Sequence, residues 1–206
     1  MAKIKDRAKP TIPPVAPGTY TAICVHAIEI GEQMTTFQGS KSYKNQVMYC
    51  FELVGEFIEI NGEKQPRVLS KTFNIPKNQK SENSGLRKFV ESWQGKKYTN
   101  DDWAEFDTND VVGLECMIGV VLNDTGEYAN IDSVMGLPKG MSAGQPQSSL
   151  IRFDIDPWNQ DDFERLPEWA QERVKKSTQY QKDHAPETVV EVKQEAQGTE
   201  TEDCPI

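Results

Sequence analysis

The sequence predicts a mainly β protein: a five-stranded Greek-key barrel with one helix between strands 3 and 4, followed by a disordered acidic C-terminal tail. Three observations predict it. Five β-rich stretches are separated by tight-turn signals. One amphipathic helical stretch follows the third of them. After Gly136 the composition shifts to Pro, Gly and acidic residues with little periodicity.

The chain has 206 residues, enough for one domain of ordinary size with appendages. Residues 1–18 are basic and Pro-rich without periodicity, and read as a flexible arm. Pro17-Gly18 breaks into the first strand, residues 19–30 (TYTAICVHAIEI), rich in β-branched and apolar side chains. Both of its faces are apolar, as in a curled strand of a closed sheet. Residues 31–42 read as a polar loop carrying Phe37 and Lys41. The second strand covers 43–54, where Val47, Tyr49, Phe51 and Leu53 alternate with Gln46, Met48, Cys50 and Glu52. That alternation predicts one buried and one wetter face. Asn61-Gly62 is a tight-turn signal, and 67–75 is the third strand.

The helix comes next. Ser81 to Ser84 are N-cap candidates. Leu86, Phe89, Val90 and Trp93 stand at i, i+3, i+4 and i+7 and form one apolar stripe. Gly95 is the expected stop. The stripe assigns Trp93 to the core, and Arg87, Lys88 and Glu91 to the wet side. An acidic connection follows, with room for a short helical turn at Asp102-Trp103. Residues 112–122 and 127–135 read as strands four and five, joined by the turn Asn123-Asp124-Thr125-Gly126. This order is that of a small barrel of the oligonucleotide/oligosaccharide-binding (OB) type plugged by a helix. A β-sandwich and an open α+β sheet are its rivals.

The predicted organisation is therefore a flexible basic arm at 1–18, an OB-fold barrel at 19–138, a linker with a short helix at 139–182, and a disordered acidic tail at 183–206. The short helix is expected at 166–176, with Pro167 at its start.

No stretch is long and apolar enough for a membrane span, and the N-terminus has no apolar core of a secretory signal. Cys24, Cys50, Cys116 and Cys204 lack metal-ligand spacing, and the first three read as buried or half-buried small apolar side chains. No enzymatic constellation, cofactor motif or metal motif emerges, so no catalytic role is expected. His26 lies in mid-strand and His184 in the tail. The acidic group Asp101, Asp102, Glu105, Asp107 and Asp110 reads as a solvated connection rather than a Mg²⁺ site.

Charge carries the functional signal. The net charge is −9, yet residues 38–99 hold eleven Lys/Arg against six Glu, and residues 100–138 hold nine Asp/Glu and no Lys or Arg. Within and beside the basic segment lie Phe37, Lys41, Tyr43, Lys44, Arg67, Lys71, Phe73, Lys77, Lys80, Lys96, Lys97 and Tyr98. Cations that track phosphates, beside aromatic rings that stack on bases, are what single-stranded nucleic acid needs. On an OB barrel the surface of strands 2 and 3 and the adjoining loops form the groove. Phe73 and Tyr43 can equally belong to the core or the barrel edge.

The chain resembles bacteriophage single-stranded DNA-binding proteins with one OB barrel. PGTYTAICVHAIEIGEQ, LRKFVESWQGKKYTNDDW, GLECMIGVVLNDTGEYANIDSVMGLPKG and LPEWAQERVKKS carry the resemblance. It implies coating of single-stranded DNA during phage replication or recombination in the cytoplasm of the bacterial host, where a coat is compatible with homo-oligomers. The end, with Glu202, Asp203, Pro205 and Ile206, partly resembles the C-terminal tip through which bacterial single-strand binders recruit replication and repair proteins. The rival reading is a protein-interaction module that binds a host or phage protein and no DNA.

Overall fold

The computed structural model describes residues 13–60, 62–77 and 82–184. It is mainly β. Among the described residues six strands form one sheet: β1 Gly18–Phe37, β2 Ser40–Ile60, β3 Glu63–Asn74, β4 Glu115–Leu122, β5 Ala129–Met135 and β6 Ile151–Phe153. The hydrogen-bonded order is β3-β2-β1-β4-β5, antiparallel throughout, and β6 adds a short parallel pairing to β1. The path is open: among the described residues no hydrogen-bonded ladder joins β3 to β5. The two edges still approach each other, because the Lys71 ammonium donates to the Ile131 carbonyl.

Where the sequence predicts one helix between the third and fourth strands, the chain forms α1 Gly85–Gln94, then α2 Asn100–Ala104 and a 3-10 turn at Thr108–Val111. Ser84 caps α1 by accepting from the Arg87 amide, and Gly95 ends it with φ 61°. The acidic connection supplies caps for the other two. Thr99 and Asp102 form a reciprocal capping box on α2, and Asp107 accepts from the Asn109 amide at the 3-10 turn.

The inner face of the sheet holds the core expected from periodicity. Val47, Tyr49, Phe51 and Leu53 of β2 pack under Leu86, Phe89, Val90 and Trp93 of α1. Phe51 lies 5.4 Å from Trp93 and 6.0 Å from Phe89, ring centre to ring centre. The Trp93 indole N–H donates to the Glu115 carbonyl at 2.9 Å, so the ring is buried with its polar atom paired. Each such side chain contributes about 1.5–3 kcal/mol of burial.

The outer face corrects the sequence reading. Met48, Cys50 and Glu52, assigned to a wetter face, are buried, as are Ile23, Val25, Ile28 and Ile30 on β1. The segment expected to be a linker with a short helix covers them. Ile151, Phe153 and Ile155 lie on β1, followed by α3 Gln160–Glu164, α4 Glu168–Val174 and α5 Thr178–Asp183. Phe163, Leu166, Ala170 and Val174 complete this second apolar cluster. Two carboxylates fasten the connecting chain. Glu115 accepts from Ser142 and the Ala143 amide, and Glu52 accepts from the amides of Gln147 and Ser148 at 2.9 and 2.7 Å. The apolar second face of β1 thus reflects a covering layer rather than barrel curvature. Burial pushes the thiols of Cys50 and Cys116 up to about 12 and that of Cys24 well above the ordinary value, so all three are neutral thiols.

Residues 31–42 form strand rather than loop. β1 and β2 stay paired from Gly31↔Gln46 to Phe37↔Ser40, closed by Gln38 and Gly39 at φ 47° and 81°. Positive φ at both turn positions matches the twist of a two-residue hairpin. A second extension pairs Phe57–Ile60 of β2 with Glu63–Pro66 of β3. Each extension begins at a register shift beside a positive-φ glycine, Gly31 (φ 71°) or Gly55 (φ 80°). We call residues 31–46 the first arm and 55–66 the second arm. At Gly31 a Cβ would come within 2.8 Å of Ser177 and 2.9 Å of Gln179, so the glycine also lets α5 pack against the strand backbone. Among the described residues no helix is long and apolar enough to cross a membrane.

Candidate nucleic-acid interface

The predicted site residues separate into three groups. The first is on the first arm. Met34 pairs with Tyr43, Thr36 with Lys41 and Gln33 with Lys44. Strand alternation puts Lys41 and Tyr43 on one face of this ribbon and Lys44 on the other. Tyr43 is 49% exposed and Met34 53%. Phe37 ends β1, and its side chain is not among those described.

The second group lines a groove where the sheet fails to close. This groove, of about 710 Å³, runs between β3, α1 and β5. Lys71, Asn74, Lys88 and Asp132 stand on its walls over Phe73 and Phe89. Phe73 is buried, 4.7 Å from Phe89 and 5.9 Å from Tyr49, so its ring is core and is not presented for base stacking. Lys71 lies on the inner side of β3, its ammonium 5.9 Å from both phenyl rings. The first arm meets the groove at its rim. Gln46, two residues beyond Lys44 on the same ribbon face, donates to the groove-lining Asn74 at 2.9 Å. Lys77 follows the groove-lining Pro76, and its ammonium is 4.0 Å from Glu32 at the base of the arm. Lys88, which periodicity leaves simply facing water, joins the site because α1 lies along the gap.

The third group is apart and structurally committed. Arg87 and Glu91, also assigned to the wet side, are buried. Glu91 accepts from Arg87 Nε at 3.0 Å, from Lys97 at 2.6 Å and from the Tyr98 amide at 3.2 Å. Arg87 also donates to Asn100 and to the Tyr98 carbonyl. Burial works against the Glu91 charge, but the hydrogen bonds from Lys97, Arg87 and Tyr98 outweigh it and hold the carboxyl below its ordinary value. Tyr98 donates to Gln94 and packs edge-on against Trp103 and Phe106. Lys96 lies 4.5 Å over the Tyr98 ring. Asp101, Asp102, Glu105 and Asp110 line the adjoining hollow with Lys96 and Tyr98. Lys96, Lys97 and Tyr98 therefore secure the exit of α1 beside an acidic surface.

Arg67 belongs to none of the three groups. Its guanidinium donates to the Pro13 carbonyl at 2.6 Å and ties the N-terminal segment across β3; burial lowers its pKa, with Glu56 opposing. The outer surface of β2 and β3, the expected groove, is partly occupied. Arg173 of α4 donates to Thr72 of β3 at 3.1 Å and lies against Met48 of β2. Lys80 and the tail residues Glu202, Asp203, Pro205 and Ile206 lie outside the described residues. No protein-family model matches the chain, and no curated protein matches it.

Proposed function

We propose that the protein binds single-stranded DNA with little sequence preference. On this reading it is a non-enzymatic component of bacteriophage DNA replication or recombination in the host cytoplasm. The observation that carries the reading is the pair Lys71 and Lys88 on the walls of the groove, with Lys77 following its rim and Lys44 on the neighbouring first arm, in a chain of net charge −9. Ammonium groups spaced along a channel follow a phosphate backbone without reading bases.

The strand order β3-β2-β1-β4-β5, with edges bridged by Lys71, supports reading the sheet as an OB barrel whose β3–β5 seam is left ajar under α1. Since α4 covers part of the β2–β3 outer face, the strand runs along the seam and onto the arm. The acidic end of the chain serves, on the same reading, to recruit replication or recombination proteins.

The test is a titration of the full-length protein with oligo-dT at two salt concentrations, followed by tryptophan fluorescence and gel mobility. Binding that falls steeply with salt is expected, because each phosphate contact releases counterions. Absence of any retardation at low salt overturns the reading.

A further inference from the structure

The two arms leave opposite ends of one 21-residue strand, β2. In the distal part of each, residues 33–44 and 57–66, the strands pair only with each other. A two-stranded ribbon is marginal in water, because its edges keep unpaired backbone groups and it buries little apolar surface. Both arms also expose apolar side chains: Met34 and Tyr43 on the first, and Phe57, 37% exposed, on the second with Val54 beside it.

Their charges are opposite. Beyond Glu32, whose carboxylate faces Lys77 at the base of the arm, the first arm carries Lys41 and Lys44 and no acid. From 54 to 66 the second carries Glu56, Glu59 and Glu63 against Lys64. Lys64 is already engaged, 3.9 Å over the Phe57 ring on one face. The register puts Ile58, Ile60 and Glu63 on the other face, both isoleucines half-buried. The facing requirement is met on the first arm, where the Met34–Tyr43 pair stands next to Lys41.

We propose that the second arm of one molecule docks on the first arm of a second copy, Ile58 and Ile60 against Met34 and Tyr43, with Glu56 and Glu63 opposite Lys41. An isologous pairing of two second arms would bring their glutamates together, and two first arms would bring their lysines together. The opposite-arm contact removes both conflicts. Because each molecule carries one arm of each kind at opposite ends of β2, the contact is head-to-tail and leaves one arm free at each end, so it propagates into a row. Lys44, on the far face of the first arm, stays outside the contact.

Sedimentation velocity of the full-length protein without nucleic acid tests this independently of DNA binding. The protein is expected to associate progressively with concentration, and less at high salt. Lys41→Glu alone, or Glu56→Lys with Glu63→Lys, is expected to weaken association at least about tenfold. An equimolar mixture of the two variants restores it, because each then meets an arm of opposite sign. Circular dichroism spectra matching the parent exclude unfolding as the cause. A parent that stays monomeric overturns the proposal, as do variants that associate like the parent or a mixture that fails to restore association.

Discussion

Two clusters in this molecule have nearly the same composition and different fates. Lys41, Tyr43 and Lys44 sit on an exposed arm, and Lys96, Lys97 and Tyr98 sit at the exit of α1. The difference is one buried carboxylate. Glu91 draws in Arg87, Lys97 and the Tyr98 amide, so the second cluster is part of the architecture. On the first arm no carboxylate of the described residues forms an ion pair with Lys41 or Lys44. Residue type alone therefore does not distinguish a lysine that meets solvent and ligands from one that closes a helix end.

The contrast is broken most strongly at Glu91. Replacing it with Ala leaves the buried Arg87 guanidinium without its carboxylate and is expected to cost on the order of 3 kcal/mol in chemical denaturation. Lys41→Ala and Lys44→Ala should each stay within about 0.5 kcal/mol of the parent. The same residue sets a pH dependence. Because its folded pKa lies below the ordinary 4.5, Glu91 stabilises the fold fully above that value. The contribution is lost as pH falls through the lower folded pKa. Glu91→Gln should flatten this acid limb, and an unchanged limb would remove Glu91 as its source.

A smaller effect is expected on ligand affinity. Reversing Lys44, Lys77 and Lys88 to Glu should weaken oligo-dT binding about a hundredfold at low salt and lower the slope of log K against log salt by about 2. Reversing Lys96 and Lys97 should change affinity less than about threefold in the same titration. Equal losses from the two sets would erase the distinction. The smallest effect separates the tyrosines. Tyr98→Phe loses the hydrogen bond to Gln94 and should cost about 0.5–1 kcal/mol in the denaturation midpoint. Tyr43→Phe should leave that midpoint in place.

What was legible in the sequence was local. The stripe Leu86, Phe89, Val90 and Trp93 is a period, and any helix with that period buries that face. Ser84 and Gly95 mark its ends through their own backbone chemistry. The inner face of β2 follows from alternation at Val47, Tyr49, Phe51 and Leu53. Arg87 and Glu91 depart from the sequence expectation for the opposite reason. Both are charged and off the stripe, and their burial depends on Asn100, Lys97 and the Tyr98 backbone folding back over them. Sequence spacing does not encode that return. The groove was hidden in the same way. Lys71 and Lys88 are seventeen positions apart in sequence and share a wall only because α1 lies along the gap between β3 and β5.

By itself, then, the sequence determined a mainly β chain with its core helix, the caps of that helix, the inner core and the segregation of cations into the middle third. These rest on periodicity and on the conformational preferences of single residues, which act over a few positions. Tertiary structure decided the rest. It laid the linker and its short helix as a layer over the outer face of β1 and β2, extended two hairpins into arms, and committed Lys97 and Tyr98 to the fold while leaving Lys44 exposed. Each of those outcomes depends on which distant surface is left apolar or which buried charge lacks a partner. That is a property of the packed molecule and of no stretch of the chain taken alone.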